Sequence, residues 1–362
     1  MISSHAFTQT ITLLQAEPAF TYRLQTWPQT VILHKTGENT VMKDALPYYN
    51  VGPLLYCPAN NPAIVHSLPE NRFGTHFSMA LCLEDTINDD CVAEAEEMLI
   101  RNLQTLCRLH ATTPFFLPDF FIRVRNPQQI TDLTKRLEEA HDLVKGYILP
   151  KFSPDSADTY IEAALDIQQT YHCHKYIMPI LESPILLHPG HRTDILCTLK
   201  DRLDAVSDLV LNIRVGGNDL CNVLGFRRSV SQSIHRIHTV AQVFSDIIAI
   251  YGPDYVISGP VWEYYGGSGW DDGLRRELQE DRLCGFIGKT VIHPRQIPLV
   301  NEAYRVSPAD LEDAHAILGW DISDPSFVRG SAAGARMNEK KTHYNWALQT
   351  LMLSRAYGVS ES

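Results

Sequence analysis

The chain has 362 residues, 44% hydrophobic and 20% charged, with a formal net charge of -11. That length supports one large core or a core with a smaller appendage, and with no block of like charge it argues against a long disordered tail. The acidic balance, with no basic stripe to meet phosphates, argues against a nucleic-acid partner.

The eight cysteines stand at 57, 82, 91, 107, 173, 197, 221 and 284, without a CxxC pair. Most lie inside apolar runs, where cysteine behaves as a small hydrophobe, so reduced thiols and a cytoplasmic location are expected. The N-terminus lacks a basic region followed by an apolar stretch, so no signal peptide is expected. No run reaches ~18 apolar residues, so no membrane span is expected.

Residues 1–50 are polar and irregular, with helix-like patches around Thr10–Gln15, and read as an N-terminal extension. From Val51 short apolar runs alternate with longer amphipathic stretches. The runs are Gly52–Cys57, Phe77–Leu83, Phe120–Val124, Gly146–Leu149, Tyr176–Leu181, Leu209–Val215, Tyr255–Ser258 and Phe286–Ile292. Between the second and third, Asp90–Leu109 carries Val92, Ala95, Met98, Leu99, Leu103 and Leu106 on one helical face. Eight strands, each followed by a helix, over roughly 250 residues make the (β/α)8 TIM-barrel arrangement. A doubly wound open sheet is the alternative, because periodicity does not show closure. The count of eight favours a barrel over residues 51–306. Residues 307–362 then form a C-terminal extension: a helix at Pro308–Leu318, a Gly/Ala-rich link at Arg329–Arg336 and a last helix near Lys341–Tyr357. It is too short to fold alone and is expected to pack on the barrel or on a neighbouring subunit.

The chemistry-bearing residues sit at the ends of these runs. The second run ends Leu81-Cys-Leu-Glu84-Asp85. Adjacent strand residues point oppositely, so Glu84 is expected to face the site, with Asp85 or Asn88 capping the next helix. The third ends Phe121-Ile-Arg-Val-Arg-Asn126, which places Arg123 and Arg125 on one strand face. Either guanidinium matches a carboxylate or enolate oxygen, and two solvated arginines are the plain alternative. The fourth ends at Lys151, a candidate for a phosphate, a carboxylate or a neighbouring acid, with an exposed surface lysine as the alternative. The fifth ends at Glu182, and the sixth leads through Gly216-Gly217-Asn218 to Asp219. Two carboxylates at successive strand ends converge on one rim, where a hard divalent cation would be held. The glycines allow close backbone approach to a ligand, whereas Asp219 as a helix N-cap is the ordinary reading. His293 after the eighth run is expected to be structural, and Trp262–Tyr265 either walls the pocket or packs in the core. His172-Cys173-His174 lacks a further ligand at zinc-like spacing.

Taken in order, Leu83-Glu-Asp85, Ile122-Arg-Val124, Leu149-Pro-Lys151, Ile180-Leu-Glu-Ser183, Gly217-Asn-Asp-Leu220 with Gly225, and Gly288-Lys-Thr-Val-Ile-His-Pro-Arg-Gln296 form a set. From about Leu54 onward the chain resembles the citrate lyase β-subunit/malyl-CoA lyase family of carbon–carbon lyases, also described with the HpcH/HpaI aldolases. The longer N-terminus and the wording of several motifs resemble the divergent branch that accompanies tellurite-resistance biosynthetic clusters. The resemblance implies that Glu182 and Asp219 hold Mg2+ and that Arg123 contacts the substrate carbonyl and enolate oxygen. It also implies that a tail acid, here Glu339 within Ala335-Arg-Met-Asn-Glu339, does acid–base work from a neighbouring subunit of a homotrimer or hexamer. Glu339 is one methylene longer than the family's aspartate. Three departures stand out. The family's DLED is Cys82-Leu-Glu-Asp85, without its first acid; Arg125 intervenes before Asn126; and the first loop, Pro58-Ala-Asn-Asn-Pro62, lacks the basic residues that greet coenzyme A.

The resulting expectation is a Mg2+- (or Mn2+-) dependent carbon–carbon bond lyase or aldolase acting on a β-hydroxy acid or acyl thioester. Arg123, Glu84 and Glu339 are its catalytic candidates. Arg125, Lys151, Gly217 and Asn218 are its substrate-binding candidates, and Glu182 and Asp219 its metal ligands. The alternatives are a thioester hydrolase or condensing enzyme on the same enolate site, and a non-catalytic barrel subunit.

Overall fold

The structure, a computed structural model, describes residues 45–361. Eight short parallel strands form its centre: β1 (Pro53–Pro58), β2 (Ser78–Cys82), β3 (Asp119–Arg123), β4 (Val144–Leu149), β5 (Tyr176–Leu181), β6 (Ile213–Val215), β7 (Ile257–Ser258) and β8 (Lys289–Val291). They pair in chain order, and β8 returns to pair with β1. The ring closes through a parallel bridge between Gly259 and Lys289, with the Ile287 amide donating to the Ile257 carbonyl at 2.8 Å. Closure decides between the two sheet arrangements the periodicity left open, in favour of the barrel.

All eight expected runs are strands, because a parallel strand is covered on both faces and so reads as continuous apolar sequence. Alternate side chains divide the core. One set, including Leu55, Leu81, Ile122, Leu149 and Leu181, packs outward under the helices. The other, including Leu54, Ala80, Phe121, Ile148, Met178 and Ile180, fills the barrel interior. The helix after β2 runs Val92–Thr112 and buries Ala95, Leu99, Leu103 and Leu106, the stripe expected from sequence.

The tail packs on the barrel of its own chain. Its last helix, Tyr344–Tyr357, lies against the helix Pro308–Leu318 and against Pro47–Asn50, which leads into β1. The Tyr357 and Tyr304 rings are 5.2 Å apart, and the Tyr304 hydroxyl donates to the carbonyl of Gly288, just before β8. The tail therefore docks at the N-terminal end of the strands. The Gly/Ala-rich link is more ordered than its composition suggests: Val328–Gly330 and Met337–Glu339 pair antiparallel. The patch at Thr10–Gln15 lies outside the described residues. Among the described residues no helix is long and apolar enough to cross a membrane, and all eight cysteines are free thiols.

Candidate active site

Parallel strands deliver their last residues to one rim, and five expected residues meet there. Arg123 is the last residue of β3, and Glu182 follows β5. Asp219 stands in the first turn of the helix Gly217–Val223 after β6. Arg123 is 5% exposed, and its guanidinium reaches three carboxylates through Nη2: Glu84 at 2.8 Å, Asp85 at 2.9 Å and Glu182 at 3.2 Å. Lys151 Nζ binds Glu84 and lies 3.3 Å from Asp85. Its backbone amide donates to Glu182 Oε1 at 3.0 Å. Lys151 holds the left-handed backbone conformation, φ +50°, and this turn aims both its amide and its side chain at the acids.

Glu182 is the most constrained member. Burial pushes its pKa up to about 8, and the neighbouring Asp219 adds to the rise, while Arg123 and the Lys151 amide pull the other way. Burial also raises Glu84, reinforced by Asp85. Burial opposes ionisation of Asp85 too, but its bond with Glu84 and the charges of Arg123 and Lys151 outweigh it, and its pKa falls. Two cations thus face four carboxylates, and the fully ionised cluster carries two negative charges in excess.

Gly216 is what allows Glu182 and the β6 end to meet. A Cβ at Gly216 would lie 2.1 Å from Glu182 Oε2 and 2.3 Å from its Cβ. Because the clash includes the root of the side chain, rotation of the carboxylate does not relieve it. Gly216→Ala is expected to cost about 1–3 kcal/mol of stability and to weaken divalent-cation binding together. Urea unfolding and a Mg2+ titration read the two effects; intact Mg2+ binding would remove Gly216 from the site.

Several expectations need correction. Glu84 and Asp85 both reach Arg123, because β2 ends at Cys82 and strand alternation no longer governs them. The cap is Asn88, whose side chain accepts from the Asp90 amide. Arg125 does not share the site with Arg123. Its guanidinium holds the loop after β2, donating to the carbonyls of Leu83 and Ile87 and pairing with Asp89. Chain direction changes after Arg123, where β3 stops. Gly217 makes room for protein rather than ligand, since a Cβ there would strike Ile234 at 2.3 Å. Asn218 accepts from Arg228 Nη1 at 3.2 Å, an engagement with the protein itself. Asp219 is not an N-cap: that position is Gly216, with no side-chain capping bond. Glu339 lies on the tail ribbon, where it accepts from the Thr342 hydroxyl and its amide donates to His343, with no contact to the cluster.

The motif around β8 is structural. Lys289 points outward, fully buried, to Glu277 and Asp281 at 3.0 and 2.7 Å. His293 Nδ1 accepts from the Arg295 amide, as a cap. Gln296 donates to the carbonyls of Trp262 and Tyr264, which ties the loops after β7 and β8 together. Trp262 is core, whereas Tyr265 is half exposed and stacks on His293. Sequence reasoning missed Tyr56 at the site: its ring lies beneath the Arg123 guanidinium, 5.8 Å from the centroid. Its signal was a tyrosine inside the otherwise apolar first run.

A closed parallel barrel with a buried arginine clamped by carboxylates at its C-terminal rim defines a TIM-barrel enzyme of acid-and-cation type. Residues 45–359 match the family described as C-C bond lyase of the TIM-barrel fold, and the chain belongs to that family of carbon–carbon lyases. An L-malyl-CoA/beta-methylmalyl-CoA lyase from Cereibacter sphaeroides is 22% identical over 300 residues, covering 77% of this chain and 86% of the relative. A (3S)-malyl-CoA thioesterase from the same species is 47% identical over 86 residues, which is 24% of this chain and 30% of that one. In fold the chain is similar to CitE of Mycobacterium tuberculosis, solved with magnesium, acetoacetate and coenzyme A. The TM-score is 0.55 at 21% identity, covering 85% of this chain and 99% of that one.

Proposed function

We propose that this lyase cleaves or forms the carbon–carbon bond of a β-hydroxy acid or its acyl thioester, with Mg2+ (or Mn2+) held by Glu182 and Asp219. The observation that carries the reading is the bond from Arg123 to Glu182 Oε1 beside the Asp219 carboxylate. A permanent cation at the end of β3 there meets a crowded acid pair beyond the ends of β5 and β6. The donor set suits a hard divalent ion: Glu182 Oε1 is held by Arg123 and Lys151, Oε2 faces Gly216, and the cluster when fully ionised carries two negative charges in excess. Among the described residues no three or more His, Cys, Asp or Glu side chains gather into a complete ligand set. Two carboxylates with water and substrate oxygens completing the shell are the habit of Mg2+. Bound there, Mg2+ supplies Lewis-acid stabilisation of negative charge on the substrate oxygen.

The chain's own residues do the rest. Arg123 stays protonated and offers N–H donors at the position where an enolate oxygen develops. Glu84 and Asp85 hold that guanidinium in place, and Lys151 holds Glu84 and Glu182. Acid–base work falls to Glu339. Within one chain the tail docks at the opposite end of the barrel, so this role calls for a second copy, in keeping with a homotrimer or hexamer. The first loop, Pro58–Pro62, offers no base to a coenzyme A phosphate, so a free acid or another acyl carrier is as good a substrate as a coenzyme A thioester. The division into 1–50, 51–306 and 307–362, the tellurite-cluster branch and the cytoplasmic location belong to the same reading.

A second reading, thioester hydrolysis on the same enolate site, is favoured by the local 47% identity to a thioesterase. Product analysis separates the two. Incubation with β-hydroxyacyl thioesters and the matching free β-hydroxy acids, with Mg2+, is expected to yield a carbonyl fragment and a shortened acid or thioester. Release of free thiol with the carbon skeleton intact would favour hydrolysis, and no product from either class would sink both readings.

A further inference from the structure

Four arginines of the described residues are buried, and three have the partners a permanent charge requires. Arg123 meets three carboxylates, Arg192 meets Asp246 and Arg228 meets Glu277. Arg214, in the middle of β6, is the exception. It is 1% exposed, its Nη2 donates to the Thr290 hydroxyl at 2.6 Å, and neither Nε nor Nη1 has a partner. No carboxylate of the described residues is paired with it. A buried, unpaired guanidinium is among the costliest groups a core holds, and arginine does not escape by losing its proton.

The surroundings narrow what could balance it. Arg214 is the register partner of Ile180 on β5 and of Ser258 on β7, so it points into the barrel, below the level of Glu182. Ser258 Oγ is closed to solvent and also lacks a partner. So does the hydroxyl of Tyr357, on the helix that plugs the N-terminal end, within electrostatic reach of Arg214. Tyr56, on the side of the mouth, offers its hydroxyl to Arg214 as a hydrogen-bond partner but brings no charge to balance it. The unpartnered groups around this point are therefore two guanidinium nitrogens, Nε and Nη1, and two hydroxyls. All can donate, and no negative group is present to accept.

We propose that the barrel interior encloses a small monovalent anion, of halide or formate size, held by Arg214, Ser258 and Tyr357. A water molecule would satisfy hydrogen bonds but leave the charge unbalanced, whereas an anion does both. The site is separate from the carboxylate cluster and independent of the lyase reading. It links the last helix to β6 and β7, and it places negative charge between the floor of the barrel and Arg123, which Arg214 otherwise repels.

The test uses the full chain, exchanged into gluconate buffer without Mg2+, at fixed ionic strength. Replacing gluconate by chloride, bromide or formate is expected to raise the melting temperature by roughly 2 °C or more, along a saturating curve. A rise with halides alone identifies a halide site, and a rise with formate as well a site for small anions generally. Arg214→Met is expected to lose the response while remaining at least as stable as the anion-free native protein. Indifference of the native protein to all three ions, or a response retained by Arg214→Met, overturns the proposal. Should the variant fail to fold, bromide-soaked crystals of the native protein decide. Anomalous density against Arg214 supports the site, and its absence there overturns it.

Discussion

Replacing Arg123 by methionine is expected to lower turnover by about two to three orders of magnitude and stability by about 3–5 kcal/mol. Both effects have one origin. Arg123 is the common partner of Glu84, Asp85 and Glu182, and two of those acids are buried. Without it, Lys151 is the remaining cation, and its ammonium does not reach Glu182; its backbone amide does. Glu182 would then face Asp219 with its chief counter-charge gone. The stability deficit is expected to shrink as pH falls, because protonation removes the charges that Arg123 balanced. Arg123→Lys should recover part of the stability but little of the activity, since an ammonium is a point charge and not a fork. Urea denaturation at two pH values, with turnover measured in parallel, reads all three. A stable, active Arg123→Met protein would exclude Arg123 from the chemistry.

The second large effect concerns the acid pair. Mg2+ affinity of the native protein is expected to rise about tenfold per pH unit below pH 8 and to level off above it, as binding displaces one proton. The window follows from Glu182, whose pKa burial and Asp219 lift from the ordinary carboxylate range to about 8. The sign for stability is the reverse. A carboxyl whose pKa is raised on folding favours the fold while protonated, so the metal-free protein loses this contribution as pH rises from about 4.5 through 8. Saturating Mg2+ is expected to abolish that loss. Glu182→Gln and Asp219→Asn should each weaken Mg2+ binding by at least about 100-fold, and Glu182→Gln should flatten the pH dependence as well. Calorimetric titration in two buffers of different ionisation enthalpy reports both affinity and proton release. Unchanged binding in both variants would sink the metal assignment.

Much of this protein is legible in one dimension. Strands buried on two faces must be continuously apolar, so the eight runs were visible, as was the helix with Leu99 and Leu103 on its inner face. In a parallel barrel, strand ends share a rim by topology, so charged residues at the ends of runs two to six pointed to one place. Arg123, Lys151, Glu182 and Glu84 all meet there.

What the chain order did not decide depends on where a strand stops and on contacts between distant segments. Periodicity predicts side-chain direction only while the strand continues. Arg125 lies two residues beyond β3 and Asp85 three beyond β2, and both turn the way alternation does not foretell. Closure of the ring, the clash that requires glycine at 216, and the docking of the tail away from the cluster arise between residues far apart in sequence. The same holds for Arg214. In sequence it is one charged residue in an apolar run, and only the tertiary structure surrounds it with hydroxyls and leaves it without an acid. Local pattern determined the elements and the rim on which the chemistry gathers, because burial acts residue by residue. Which charges find partners was decided by the fold, because electrostatic pairing depends on distance in space.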